Sequence, residues 1–268
     1  MKPTKKLPRL IASDIGNTLA TGTNPIPVFT ASVLNAIVNT CQLPVALITG
    51  FNYRATMNYT RGLDEKILLM PQNGTLCIRQ NQLVWEYRIP PEDAESLHRF
   101  LDANHLPTII YKGKNEDFRN YYTSPVDITM SSAFQKINAL DSFEDITGVS
   151  TFLPDTQAKT VKANIESIVG DKFKVIYTRE SRGSWLEVVH DDVRKDIALK
   201  RLCKELSIPL EDAMYFGDNF NDLEALRSVG FPVLVANAQE ELKNEFITHA
   251  KAVSEEGVGY YLKALFEI

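Results

Sequence analysis

Cysteine is scarce in this 268-residue chain: Cys41, Cys77 and Cys203 are far apart, each within an apolar segment. Three scattered thiols make neither a disulfide framework nor a zinc site, so reduced core thiols and a cytoplasmic setting are expected. No apolar run approaches the roughly 18 residues of a membrane span, which argues against a membrane partner. The basic opening (Lys2, Lys5, Lys6, Arg9) passes through Pro8 into a strand-like run. It does not lead into the apolar segment and small-residue cleavage site of a signal peptide. Nor is there a basic stripe. Lys and Arg number 29 against 34 Asp and Glu, for a net charge of −5, which argues against nucleic acid as the main partner. Internal repeats, low-complexity tracts and coiled-coil heptads are also missing.

What is present is 44% hydrophobic and 24% charged residues, enough for one large core or two smaller ones. The organising stretch is Leu10-Ile11-Ala12-Ser13-Asp14-Ile15-Gly16-Asn17-Thr18-Leu19. Its apolar start reads as a short buried strand of a parallel sheet. Asp14 then falls at the strand's carboxyl end, where open α/β sheets bind ligands. Gly16 and Asn17 permit a sharp turn whose backbone amides can hold an anion. The stretch Ala213 to Asp222 repeats this grammar: apolar strand, Gly217, Asp218, then Asn221-Asp222 opening a helix at Leu223.

Between these stretches the pattern changes twice. Helical spacing of Val33, Leu34, Ile37, Val38 and Cys41 is followed by a strand at Pro44–Ile48 that ends in Thr49-Gly50. A helix at 53–61 and a strand at 67–70 lead to Asn73-Gly74, which predicts a tight hairpin turn. From about residue 83 the grammar is α+β. Helices are expected at 91–104, 131–139 and 156–169, the last with a Thr cap, and antiparallel strands at 174–178 and 185–189. Core grammar resumes with a helix at 193–206. The expectation is an α/β core from 1–82 and 188–268, with 83–187 as an inserted α+β domain.

Three like charges close together raise one another's pKa values unless a cation neutralises them. Oxygen donors without nitrogen or sulfur suit Mg²⁺. A carboxylate beside that ion can act as a nucleophile on phosphorus, with a hydroxyl and a lysine clamping the transferring group. Asp14, Thr49, Lys195, Asp218 and Asp222 are therefore the candidate parts of a Mg²⁺-dependent phosphoryl-transfer site. Each alone has a bland alternative: a turn acid, a helix cap, an exposed lysine.

Asp14 to Thr18, Thr49-Gly50, Lys195 and Gly217 to Asp222 resemble the four motifs of the haloacid dehalogenase superfamily of phosphatases. The insertion resembles the α+β cap of its Cof-like and sucrose-phosphatase-like branch. Asn73-Gly74, Lys195 to Leu199, Val235 to Ala238 and Glu256-Gly257-Val258 agree with that branch. The resemblance implies a three-layer Rossmann-like core, a cap that selects substrate, and hydrolysis of a small phosphorylated metabolite such as a sugar phosphate. It implies Asp14 as nucleophile, with Thr49 and Lys195 on phosphate. Metal ligation would fall to Asp14, the Gly16 carbonyl, Asp218 and Asp222. Thr18, Gly50, Asn73, Gly74 and Asn221 would contact phosphate or substrate.

Two positions depart from the pattern. Gly16 stands where family phosphatases carry a second aspartate, the general acid and then base. Phe51 replaces an arginine that often follows the Thr-Gly pair. A proton-transfer group of that kind is worth about 10²–10⁴-fold in rate. His190 and Asp191 are candidate substitutes. A phosphate-binding or regulatory protein without turnover is one alternative. Carbon–phosphorus hydrolysis, with Lys112 or Lys114 as a Schiff-base lysine, is another. Phe118, Arg119, Tyr121, Tyr122 and Arg182 are available to touch substrate.

Overall fold

A computed structural model describes residues 6–113, 120–123, 135–137, 139–180 and 183–268. The chain divides into two compact units, Met1–Val84 with Arg194–Ile268, and Trp85–Val193.

The first unit opens with β1 (Leu10–Ser13), α1 (Val28–Asn39), β2 (Val45–Ile48), α2 (Tyr53–Tyr59), β3 (Leu68–Met70), β4 (Leu76–Arg79) and β5 (Gln82–Glu86). The second unit holds α3 (Pro91–Ala103), β6 (Thr108–Lys112), β7 (Asn120–Thr123), β8 (Gln135–Lys136) and β9 (Ile146–Leu153). It ends with α4 (Asp155–Val169), β10 (Phe173–Glu180) and β11 (Gly183–His190). The first unit then resumes with α5 (Lys195–Leu206), β12 (Ala213–Gly217), α6 (Leu223–Ser228), β13 (Phe231–Val235), α7 (Glu240–Lys243), β14 (His249–Ala250) and α8 (Gly257–Phe266).

In the first unit the strands form one sheet in the order β14-β13-β12-β1-β2-β3-β4-β5. The strands from β14 to β3 are parallel, and β4 turns back antiparallel to β3. All four residues of β1 are buried, the signature of a central parallel strand covered on both faces. Ile11, Leu47, Met214, Phe216 and Val233 form a core with α1 and α8 on one face. Helices α5 and α6 pack on each other and against β2 and β12. The register places Ser13 beside Phe216, so Asp14 and Asp218 leave adjacent strands at the same end of the sheet.

Motifs near the chain's end fasten this sheet. Asn237 donates to the Asn17 carbonyl at 2.8 Å and accepts from the Val253 amide at 2.8 Å. Glu256 accepts from both the amide and the hydroxyl of Thr30. A side chain at position 257 would begin 1.9 Å from the Lys251 carbonyl oxygen, which requires glycine there.

The second unit is a six-stranded sheet, β10-β11-β9-β6-β7-β8. Leu97, Leu101, Ile110, Val149, Ile165, Leu186 and Val188 make its core, with α3 and α4 on one face. Alternation along β11 puts Glu187 on the other face.

Several local expectations fail. Gln135–Lys136 is a strand paired parallel with β7, not part of a helix over 131–139; residues 131–134 and 138 lie outside the described residues. A partner strand satisfies that backbone, which overrides local propensity. Helix α4 begins after Pro154 without a side-chain cap, so Thr156 does not cap it. The turn after β3 is a 3₁₀ turn over Gln72–Gly74, wider than a two-residue hairpin. The three cysteines are free thiols. No described helix is long and apolar enough to cross a membrane.

Candidate active site

Each acidic group leaves a strand end that its own sequence prepares. Asp14 directly follows β1, and its amide donates to the Phe216 carbonyl at 2.9 Å. The chain then closes a small loop, with the Ala20 amide on the Ile15 carbonyl and the Asn17 amide on the Ala20 carbonyl. That pairing leaves the Gly16 carbonyl out of the loop's own bonds. At the end of β12, Asp218 precedes a one-turn helix, Phe220–Asp222, that Asn219 caps and Asp222 closes. A Cβ at residue 217 would sit 2.6 Å from the Asp222 Cβ, so Gly217 is what lets Asp222 fold back onto the strand end.

Lys195 is the centre of the site. It opens α5 and is 2% exposed. Its Nζ donates to Asp14 Oδ1 at 2.8 Å and to Asp222 Oδ1 at 2.7 Å. Asp14, Asp218 and Asp222 each offer an oxygen within 4.8 Å of the others. The Asp222 oxygens are heavily used. Oδ1 accepts from Lys195 and Tyr215, and Oδ2 accepts from the Asp218 and Asn219 amides at 3.2 Å each.

Three carboxylates facing one ammonium leave negative charge uncompensated. Burial, reinforced by Asp222 and Asp218 and opposed by Lys195, pushes Asp14 up to about 7. Burial followed by the charge of Asp222 pushes Asp218 up to about 6. For Lys195, burial alone favours the neutral amine, but the Asp14 and Asp222 charges outweigh it and its pKa is raised. These all-oxygen donors with excess negative charge fit a hard divalent cation such as Mg²⁺. Asp14, Asp218, Asp222 and the Gly16 carbonyl are the oxygens that would hold it. Asp222 also anchors Lys195.

The remaining candidates divide. Thr49 is buried at the tip of β2, and its hydroxyl oxygen accepts from the Phe51 amide at 3.3 Å, so its proton can still be donated. Asn73 is buried, with φ of +56°, and its Oδ1 has no hydrogen-bond partner. It faces Gly50, whose Cβ position would lie 3.5 Å from that oxygen. Thr18 is not free for a phosphate: its hydroxyl donates to Asp218 Oδ1 at 2.9 Å. Gly74 has a packing reason, since a Cβ there would lie 2.2 Å from the Ala198 Cβ of α5. Asn221 is exposed on the one-turn helix.

Within the second unit, His190 stacks on Tyr87 at 5.1 Å, and Asp191 pairs with Lys174 at 2.8 Å. Lys112 donates to the Ser142 and Glu144 carbonyls, which ties its ammonium into the backbone. Lys114, Phe118, Arg119 and Arg182 lie outside the described residues, and only the backbone of Tyr121 and Tyr122 is described.

Tyr215 is a site residue that pattern reading passed over. Its hydroxyl donates to Asp222 Oδ1 at 2.8 Å from a fully buried position. In an apolar strand a tyrosine reads as core. The available signal was its place two residues before Gly217, on one face of β12.

An α/β sheet that gathers acids at the carboxyl ends of adjacent parallel strands, with a second unit interrupting the chain, defines a recognisable class. The family profile of haloacid dehalogenase-like hydrolases matches residues 11–262, and the chain belongs to that family. HMP-PP phosphatase of Yersinia enterocolitica is 26% identical over 264 residues, 95% of this chain and 94% of the relative. The 5-amino-6-(5-phospho-D-ribitylamino)uracil phosphatase of Bacillus subtilis is 19% identical over 275 residues, 97% and 98% of the two chains. The crystal structure of a haloacid dehalogenase-like hydrolase from Bacteroides thetaiotaomicron has the same fold. It superposes with a TM-score of 0.81 at 20% identity, over 96% of this chain and 99% of that one.

Proposed function

We propose that the chain is a Mg²⁺-dependent phosphatase that hydrolyses a small phosphorylated metabolite through an aspartyl-phosphate on Asp14. The observation that carries this is the buried Asp14–Lys195–Asp222 chain of hydrogen bonds with Asp218 alongside. Two full-length relatives named as phosphatases of small phosphorylated compounds support it. Asp14 attacks phosphorus. Lys195 holds Asp14 in place and offsets charge on the transferring group, and the Thr49 hydroxyl donates to a phosphoryl oxygen. Bound Mg²⁺ would neutralise the phosphoryl oxygens and align attack. Asp222 and Tyr215 keep Lys195 charged and oriented. Thr18 fixes Asp218, and Gly74 lets α5 approach closely enough to deliver Lys195. The second unit is the substrate-selecting cap.

The test is phosphate release from a metabolite panel in Mg²⁺ buffer by the wild type and Asp14→Asn. Release by the wild type alone supports the assignment, and equal release from both removes Asp14 as nucleophile.

A second reading, phosphate-ligand binding without turnover, is favoured by one observation: Gly16 supplies no proton-transfer group beside Asp14. In that case phosphate analogues bind and no substrate of the panel is turned over.

A further inference from the structure

The two departures from the family pattern meet in space. A Cβ built on Gly16 would lie 3.1 Å from Phe51 Cζ, 3.4 Å from Cε2 and 4.0 Å from Asp14 Oδ2. The position that a side chain at residue 16 would occupy, between Phe51 and the Asp14 carboxylate, is thus crowded by the edge of an aromatic ring, which would have to give by a few tenths of an ångström. Gly16 has no positive φ, so its backbone alone does not demand glycine. The ring is held. Phe51 stacks on Tyr59 with centroids 4.6 Å apart and planes within 12°. Tyr59 is buried, and its hydroxyl donates to the Gly22 carbonyl. Phe51 also packs on the core face that carries Ile11 and Leu47. A side chain at 16 must therefore press on a ring that is supported from behind and has little room to give.

The geometry points to Gly16 and Phe51 as a matched pair that makes this side of Asp14 apolar and restricts the enzyme to phosphates whose leaving group departs without a proton. Those are phosphoanhydrides, acyl phosphates and aryl or enol phosphates, in place of the alkyl esters of ordinary sugar phosphates. The inference rests on the hydrolase assignment and narrows its substrate class. In the first step an Asp14 oxygen forms a bond to phosphorus as the bridging P–O bond breaks, and the electron pair leaves on the departing oxygen as a stabilised anion. In the second, water adds to phosphorus, the bond to Asp14 breaks, and the product leaves as dihydrogen phosphate carrying both of the water's protons. Neither step needs a side-chain acid, and only a poor leaving group would require one.

The test measures kcat/KM for the wild type with inorganic pyrophosphate, acetyl phosphate, 4-nitrophenyl phosphate, glycerol 3-phosphate and glucose 6-phosphate, all with Mg²⁺. The same series is run on Gly16→Asp, Phe51→Ala, the double variant and Asp14→Asn, with circular dichroism to verify folding. Alkyl esters are expected to fall below the best of the first three by about 100-fold or more, the worth of a general acid. Gly16→Asp alone is expected to gain little on alkyl esters. With Phe51→Ala added, it is expected to gain about 100-fold there and little on the others, flattening the leaving-group dependence. Alkyl esters turned over as fast as the rest by the wild type would overturn the substrate class. Full gain from Gly16→Asp alone would overturn the pairing with Phe51. If the double variant does not fold, the wild-type series still decides the class. No turnover of any compound above the Asp14→Asn background would instead overturn the hydrolase assignment, and the narrower class with it.

Discussion

Lys195 Nζ lies 2.7 Å from Asp222 Oδ1, and the two side chains are 1% and 0% exposed. A charge pair this deep persists because each partner is further satisfied, Lys195 by Asp14 and Asp222 by Tyr215 and two backbone amides. Removing one partner leaves the other buried and uncompensated. Lys195→Met is therefore expected to lower stability by about 3–5 kcal/mol, measured by chemical denaturation, and to abolish turnover. A variant that kept full stability would show that the pair is not closed in solution.

The cluster of Asp14, Asp218 and Asp222 is short of positive charge. Added Mg²⁺ is expected to raise the melting temperature of the wild type, and Asp218→Asn should lose that shift. Thr18 touches the cluster only through Asp218, at 2.9 Å. Thr18→Val is therefore expected to weaken Mg²⁺ affinity by about 10–100-fold in isothermal titration, the usual effect of losing a group that orients a ligand.

Glu187 gives a pH dependence of its own. Burial raises its pKa from 4.5 to about 7 in the folded chain. The folded protein therefore keeps a proton that the unfolded chain releases. The resulting stabilisation is full below about 4.5 and is lost as pH rises through about 7. Asp14 and Asp218 shift in the same direction, so the comparison must be made by difference. Wild-type stability is expected to fall more steeply between pH 5 and 8 than that of Glu187→Gln, which stays neutral throughout. Parallel profiles would assign the slope entirely to other groups.

Gly74 and Gly62 both have positive φ, +92° and +88°, but only Gly74 has a neighbour in the way. Alanine at either position pays for a left-handed backbone, roughly 1–2 kcal/mol. Gly74→Ala must also push α5 aside, adding about 1–3 kcal/mol by overpacking. The expected result is a larger loss of stability at 74 than at 62. Activity should fall only at 74, because α5 carries Lys195.

Much of this site lies close to the surface of the sequence. An apolar run ending in an acid and a turn is a local pattern, so β1 with Asp14 and β12 with Asp218 could be placed from residue order alone. Thr49 followed for the same reason. Other features needed more than local pattern. Lys195 is a candidate from its place at the start of a core helix and from the resemblance, but by itself it is indistinguishable from any exposed helix lysine, and its burial beside Asp14 and Asp222 is seen only in the structure. Tyr215 looks like core because its ring is core, and only its hydroxyl belongs to the site. Thr18 sits in the expected motif but bonds a carboxylate. Local propensity also failed at Gln135–Lys136, where a neighbouring strand decided the backbone.

Residue order by itself determined the α/β core, the change to α+β grammar in the middle of the chain, and the acids at two strand tips, because these depend on periodicity and turn chemistry within a few residues. Tertiary structure decided that Lys195 is buried between two of those acids, how the carboxylate oxygens are shared, and that the Phe51 ring crowds the place beside Gly16. Those outcomes depend on distances between groups far apart in the chain, and only packing sets such distances.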